Sequence, residues 1–128
     1  MARILIIEDN AQNRYLTAFL LKRQGHTVIE RVDGPGGLDA AASEAPDLIL
    51  LDIQLPGMDG YEVARRLKAD PVLAAIPVVA VTSYAMAGDR ERCLDAGAEG
   101  YIEKPIDSET FVTQVEQYLR PSPDGATP

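Results

Sequence analysis

Apolar residues fall along this chain in two rhythms. Short runs that are apolar at every position are Ile4-Leu5-Ile6-Ile7, Leu48-Ile49-Leu50-Leu51 and Pro77-Val78-Val79-Ala80-Val81. Each is too short for a helix and contains no glycine, so each reads as a strand buried on both faces, the habit of a parallel sheet. Residues 27–31 and 100–102 add two shorter strands. Between the strands, apolar residues recur at helical spacing. Residues 11–24 carry Tyr15, Leu16, Phe19 and Leu20 as the stripe of an amphipathic helix that stops at Gly25. Residues 35–44, rich in Ala, form a second helix that ends before Pro46. Residues 60–69 follow with Val63 and Leu67 inward, and 88–96 stop at Gly97. Residues 107–119 close the series with Phe111, Val115, Tyr118 and Leu119 inward.

Strands alternating with helices across short loops mean right-handed βαβ units and a parallel sheet covered on both faces. Five such units predict an α/β fold of the flavodoxin-like, doubly wound kind, with five parallel strands in the order 2-1-3-4-5 and five helices. The tail from Pro121 to Pro128 has almost nothing apolar to bury and is expected to be disordered, which leaves residues 1–120 as one domain.

Composition narrows the partners. With 12 basic and 20 acidic residues among 128, the net charge is −8. That balance speaks against a nucleic-acid footprint, which wants a basic face, and against anionic membrane surfaces. No apolar run approaches the ~20 residues of a membrane span, and the start of the chain has no signal-peptide pattern. Cys93 is the one cysteine, so no disulfide framework is expected and a reducing cytoplasm is the expected setting. Cys93 and His26 read as structural residues. The Gly34-Pro35-Gly36-Gly37 run reads as a helix start, with Pro35 near the first helical position; it lacks the Lys-Ser/Thr of a phosphate-binding P-loop. Its glycines weaken that start by about 1 kcal/mol each relative to Ala, so this face is expected to be mobile.

The chemistry lies at the strand ends. Glu8 and Asp9 follow the first apolar run and Asp52 follows the second. Residues just past parallel strands project from the carboxyl edge of the sheet, where open α/β folds bind ligands. Like charges gathered there repel, and a hard divalent cation with oxygen ligands such as Mg²⁺ would hold them. Thr82 ends the 77–81 strand, and Lys104 follows the 100–102 strand. Together these residues suit a phosphoryl group. Glu8 and Asp9 can hold the metal. Asp52 can ligate it and act as a nucleophile, forming an aspartyl-phosphate. Lys104 can pair with one phosphoryl oxygen and the Thr82 hydroxyl can donate to another.

At these residues the chain resembles the receiver domains of two-component response regulators, the CheY-like domains. The resemblance is carried by Ile4-Leu5-Ile6-Ile7-Glu8-Asp9-Asn10, by PDLILLDIQLPGMDG from Pro46, by IPVVAVTSYAM from Ile76 and by GAEGYIEKPI from Gly97. It covers roughly residues 3–119. IEDNAQN and TSYAMAGDRER are similar, more narrowly, to DivK-type single-domain regulators. The resemblance implies that Asp52 is the phosphoacceptor, with Glu8, Asp9 and the Gln54 backbone carbonyl completing a Mg²⁺ site. It implies that Thr82 moves toward the phosphoryl group, that Tyr101 is the aromatic switch following it, and that Pro105 follows Lys104 through a cis bond. Tyr84 and Gln54 would tune the access of water to the acyl phosphate, with a bulky Tyr84 slowing hydrolysis. The donor would be a sensor histidine kinase or a histidine phosphotransfer protein. The output face would be the last two helices and the strand between them, read by a protein effector, from a monomer or a phosphorylation-dependent dimer. The domain would signal and catalyse only its own phosphorylation and dephosphorylation.

Three rivals stand beside that reading. A Mg²⁺-dependent phosphatase using an aspartyl-phosphate would want a second aspartate where Gln54 stands. An inactive interaction module would have no use for the intact acidic set. A flavodoxin-like cofactor binder would meet an acidic loop after its first strand.

Overall fold

A computed structural model describes residues 2–83 and 87–119 of the chain. Tyr84 and the segment 121–128 lie outside the described residues. Within them, strands and helices alternate: β1 (Arg3–Ile7), α1 (Ala11–Arg23), β2 (Thr27–Arg31), α2 (Gly34–Glu44), β3 (Leu48–Asp52), α3 (Gly60–Ala69), β4 (Val78–Thr82), α4 (Ala87–Asp95), β5 (Gly100–Glu103) and α5 (Phe111–Glu116). All neighbouring strands pair in parallel, in the order β2-β1-β3-β4-β5. The doubly wound α/β sheet expected from the alternation is the fold observed.

The period of two inside each strand divides the core. Leu5, Ile7, Ile49, Leu51, Val78 and Ala80 face α2, α3 and α4. Ile4, Ile6, Leu48, Leu50, Val79 and Val81 face α1 and α5, where they meet Leu21, Phe111 and Val115. Every residue of β3 and β4 is buried, as a central strand covered by helices on both faces must be.

The helices begin where side chains satisfy free backbone donors. Asn10 caps α1 by accepting from the Asn13 amide at 2.9 Å, Asp33 caps α2 from Gly36 at 2.8 Å, and Asp59 caps α3 from Glu62 at 3.0 Å. The glycines at the start of α2 also serve packing. A Cβ on Gly37 would stand 2.4 Å from Ile7 Cδ1 and one on Gly34 2.9 Å from Val63, so glycine lets α2 press against β1 and α3. The helix-propensity penalty is offset by that close approach.

Two expectations are corrected. In α1 the inward residues are Thr17, Ala18, Leu20 and Leu21; Tyr15 is 71% exposed and Phe19 45%. Two overlapping stripes compete at this spacing, and the one with smaller side chains lets the helix lie closer to the sheet. The displaced rings stack on one another with centroids 6.2 Å apart, and the Arg23 guanidinium lies 5.9 Å over Phe19. The helix predicted over 107–119 is regular only from Phe111 to Glu116. Asp107 turns the chain locally, its carboxylate accepting from the Glu109 amide at 2.9 Å and its carbonyl from Thr110 and Phe111. At the other end Tyr118 and Leu119 donate to Val115 and Glu116, three residues back, which tightens the last turn beyond α-helical geometry.

Candidate functional site

The sheet order puts β1 and β3 side by side, with their helices leaving toward opposite faces. That switch point opens a crevice at the carboxyl edge, and the acidic residues meet there. Ile7 pairs with Leu51, so Glu8 and Asp52 follow from neighbouring strands. Asp52 is itself the last residue of β3, opposite Val81 on β4, and Thr82 is the last residue of β4, opposite Glu103. Both were expected just beyond their strands. Their place inside the ladder gives them the rigidity of the sheet.

Carboxylate oxygens of Glu8, Asp9 and Asp52 lie within 4.8 Å of one another. Glu8 and Asp52 are buried and Asp9 is exposed at the mouth. The ammonium of Lys104 stands between the two buried acids, 2.9 Å from Glu8 Oε1 and 3.3 Å from Asp52 Oδ1. The Gln54 amide donates to Asp52 Oδ1 at 3.0 Å, and the Asn10 amide to Glu8 Oε2 at 3.2 Å. Lys104 is anchored through its own amide, which donates to the Thr82 carbonyl at 2.9 Å. The Lys104–Pro105 peptide bond is cis. Thr82 is fully buried. Tyr101 is half-buried on β5 opposite Ala80 and packs against the core on the α4 side of the sheet.

The electrostatics suit a bound cation. Glu8 is pushed up to about 7, first by burial and then by the neighbouring Asp52, against the opposing pull of Lys104. One ammonium does not compensate the three carboxylates. An all-oxygen donor set, partly buried and open on the Asp9 side, suits a hard divalent ion that keeps several waters.

Ser83 and Arg14 have no counterpart in the sequence reading, and Gly60 enters it only as the turn residue that opens the 60–69 helix. Ser83 donates from its hydroxyl to Gln54 Oε1 at 2.6 Å, tying the loop after β4 to the loop after β3. Gly60 brings α3 onto the end of β3: its amide donates to the Ile53 carbonyl at 2.9 Å, and a Cβ there would stand 2.4 Å from Ile53 Cα. Arg14 bonds to the backbone of the acidic pair. For Ser83 the available signal is its place next to Thr82; for Gly60 it is the glycine directly after the capping Asp59. Nothing in the sequence distinguishes Arg14 from the other basic residues of its helix.

The family model of the response regulator receiver domain matches residues 4–116. The polar-differentiation response regulator DivK of Brucella anthropi is 45% identical over 116 residues, covering 91% of this chain and 94% of that protein. The receiver domain of a sensor histidine kinase from Pseudomonas aeruginosa superposes with a TM-score of 0.85 at 32% identity, over 92% of this chain and 97% of that one. Its crystal structure has a magnesium ion coordinated in the active-site cleft. A CheY-like receiver domain from Methanospirillum hungatei gives a TM-score of 0.85 at 28% identity, over 93% and 94% of the two chains. No helix among the described residues is long and apolar enough to cross a membrane.

Proposed function

The chain belongs to the response regulator receiver domain family, and from that premise we propose that it accepts a phosphoryl group on Asp52 from the phosphohistidine of a sensor kinase or phosphotransfer protein. The observation that carries the reading is the meeting of Glu8, Asp9 and Asp52 within 4.8 Å around the Lys104 ammonium. A carboxylate oxygen of Asp52 forms the new P–O bond as the donor's P–N bond breaks, and the imidazole leaves with the electron pair and takes up a proton. The Gln54 amide and Lys104 hold Asp52 oriented before the donor arrives, which removes part of the entropic barrier. Glu8, Asp9, Asp52 and the Gln54 carbonyl would hold a Mg²⁺ ion, which would supply charge neutralisation for the transferred oxygens. Lys104 exchanges its carboxylate partners for a phosphoryl oxygen, another charge-assisted contact.

Thr82 moves its hydroxyl toward the new anion and Tyr101 follows into the space it leaves, so that a local charge change biases a two-state element. The surface that responds is formed by α4, β5 and α5. A groove of about 1030 Å³ lies there, with Tyr101, Leu94 and Tyr118 among its walls, and a protein effector reads it. On this reading residues 1–120 act as the receiver unit, as a monomer or a phosphorylation-dependent dimer, and catalyse no chemistry beyond their own phosphorylation and dephosphorylation.

The test is intact mass after incubation with acetyl phosphate, with and without Mg²⁺, on wild type and Asp52→Asn. One added phosphoryl group that needs Mg²⁺ and is absent in Asp52→Asn is the expected result. No adduct under any condition would sink the reading in favour of an inactive interaction module.

A further inference from the structure

Arg14 sits near the start of α1, five residues after Asp9, and its guanidinium turns back onto the corner that carries the acidic pair. Its Nη1 donates to the Glu8 carbonyl at 2.9 Å and reaches the Asp9 carbonyl at 3.5 Å. Its Nε lies 3.4 Å from Glu30 Oε1 on β2. The side chain keeps only 21% of its exposure, and a guanidinium gives up water where its donors find matched acceptors. Here the acceptors are two consecutive carbonyls and one carboxylate, on two elements. A planar fork of fixed geometry suits that task, and the point charge of a lysine does not.

The two carbonyls belong to the residues whose carboxylates must converge on one ion. Their amide side is already fixed: the Glu8 amide donates to the Arg31 carbonyl at 3.0 Å, and the Asn10 amide to Glu8 Oε2 at 3.2 Å. Arg14 holds the same corner from the carbonyl side. Its charge is not the main lever on the acids, because burial, Asp52 and Lys104 govern the Glu8 carboxyl. We infer that Arg14, braced by Glu30, is a positioning residue for the divalent cation, aiming the Glu8 and Asp9 side chains through their backbone. The inference rests on the proposed receiver chemistry.

The experiment is calorimetric titration of the full chain with MgCl₂, comparing wild type, Arg14→Ala, Arg14→Lys and Glu30→Gln. Thermal unfolding in chelator and acetyl phosphate labelling over a range of Mg²⁺ run alongside. Groups that orient metal ligands from behind typically contribute about 10–100-fold in affinity. Arg14→Ala is therefore expected to bind Mg²⁺ at least about tenfold more weakly, with labelling recovered at saturating Mg²⁺. Glu30→Gln loses less in the same direction, and Arg14→Lys falls between Arg14→Ala and wild type. Wild-type affinity in Arg14→Ala overturns the inference even if its melting temperature falls, since Arg14 would then only brace the loop. Wild-type affinity in Arg14→Lys also overturns it. If Arg14→Ala does not fold, Glu30→Gln decides: weakened binding supports the inference and unchanged binding overturns it. No Mg²⁺ binding by wild type would instead bring down the receiver chemistry itself.

Discussion

Two half-buried lysines of this molecule face glutamates at 2.9 Å and do different work. Lys68 also donates to the carbonyls of Ala74 and Ile76, so its ammonium is used up in joining loops next to Glu99. Lys104 faces the carboxylates of Glu8 and Asp52, acceptors that a cation can compete for and that a phosphoryl oxygen can replace. The consequence for Glu8 is a pH effect. Its carboxyl is held protonated up to about 7 by burial and by Asp52, and a protonated carboxyl is a poor metal ligand. Metal binding must then release a proton below that pH. Apparent Mg²⁺ affinity is expected to hold above pH 7 and to fall by up to about tenfold per pH unit below it. Calorimetry at pH 6, 7 and 8 checks this, with Glu8→Gln binding more weakly and losing the pH dependence. An affinity that stays level across that range in wild type would contradict it.

At the scale of elements, site residues inherit their precision from strand ends and from the helix starts behind them. The join of β3 to α3 is a tight one. Gly60 stands where a Cβ would meet Ile53 Cα at 2.4 Å and the Asp52 carbonyl at 2.6 Å. These are backbone atoms and cannot rotate away. Gly60→Ala is expected to destabilise the protein by about 1–3 kcal/mol, the usual cost of overpacking. It should also slow acetyl phosphate labelling, because the strain falls on Asp52, the proposed phosphoacceptor. Urea unfolding and labelling rates measured together check both. A variant with wild-type stability and rate would mean that α3 can back away without cost. The neighbouring Gly57, at φ +72° with no atom near a built Cβ, keeps its glycine for backbone conformation alone.

For the whole molecule, a cation that binds only the folded chain must raise its stability, because strands β1 and β3 bring the ligands together only on folding. Mass action sets the size: at Mg²⁺ a hundredfold above its dissociation constant the gain is about 2.7 kcal/mol. For a domain of this length that raises the melting temperature by several degrees. Thermal unfolding at increasing MgCl₂ is expected to show a progressive rise in wild type that Asp9→Ala sharply reduces. A melting temperature indifferent to Mg²⁺ would argue against a metal bound by these residues. The net charge of −8 adds a non-specific contribution from any divalent salt, and Asp9→Ala separates it from the site.

The fold was legible because its signal is local. Runs such as Leu48–Leu51, apolar on both faces, can be satisfied only inside a covered parallel sheet, and the breaks at Gly25 and Gly97 end helices by backbone conformation. The carboxyl edge followed from topology, so Glu8, Asp9, Asp52, Thr82 and Lys104 could be gathered from four strands before any distance was known. What only the tertiary structure decided was which of two compatible arrangements packs. It turned Tyr15 and Phe19 of α1 outward in favour of smaller residues, and it turned the glycines of α2 from weak helix formers into contact points against Ile7 and Val63. It also gave Arg14 a role, since its two carbonyl partners and Glu30 are joined by geometry and not by any spacing of residue types. Periodicity says that a side chain belongs to a face. Shape complementarity between faces, and hydrogen bonds to a backbone that every residue shares, are settled only when the elements meet.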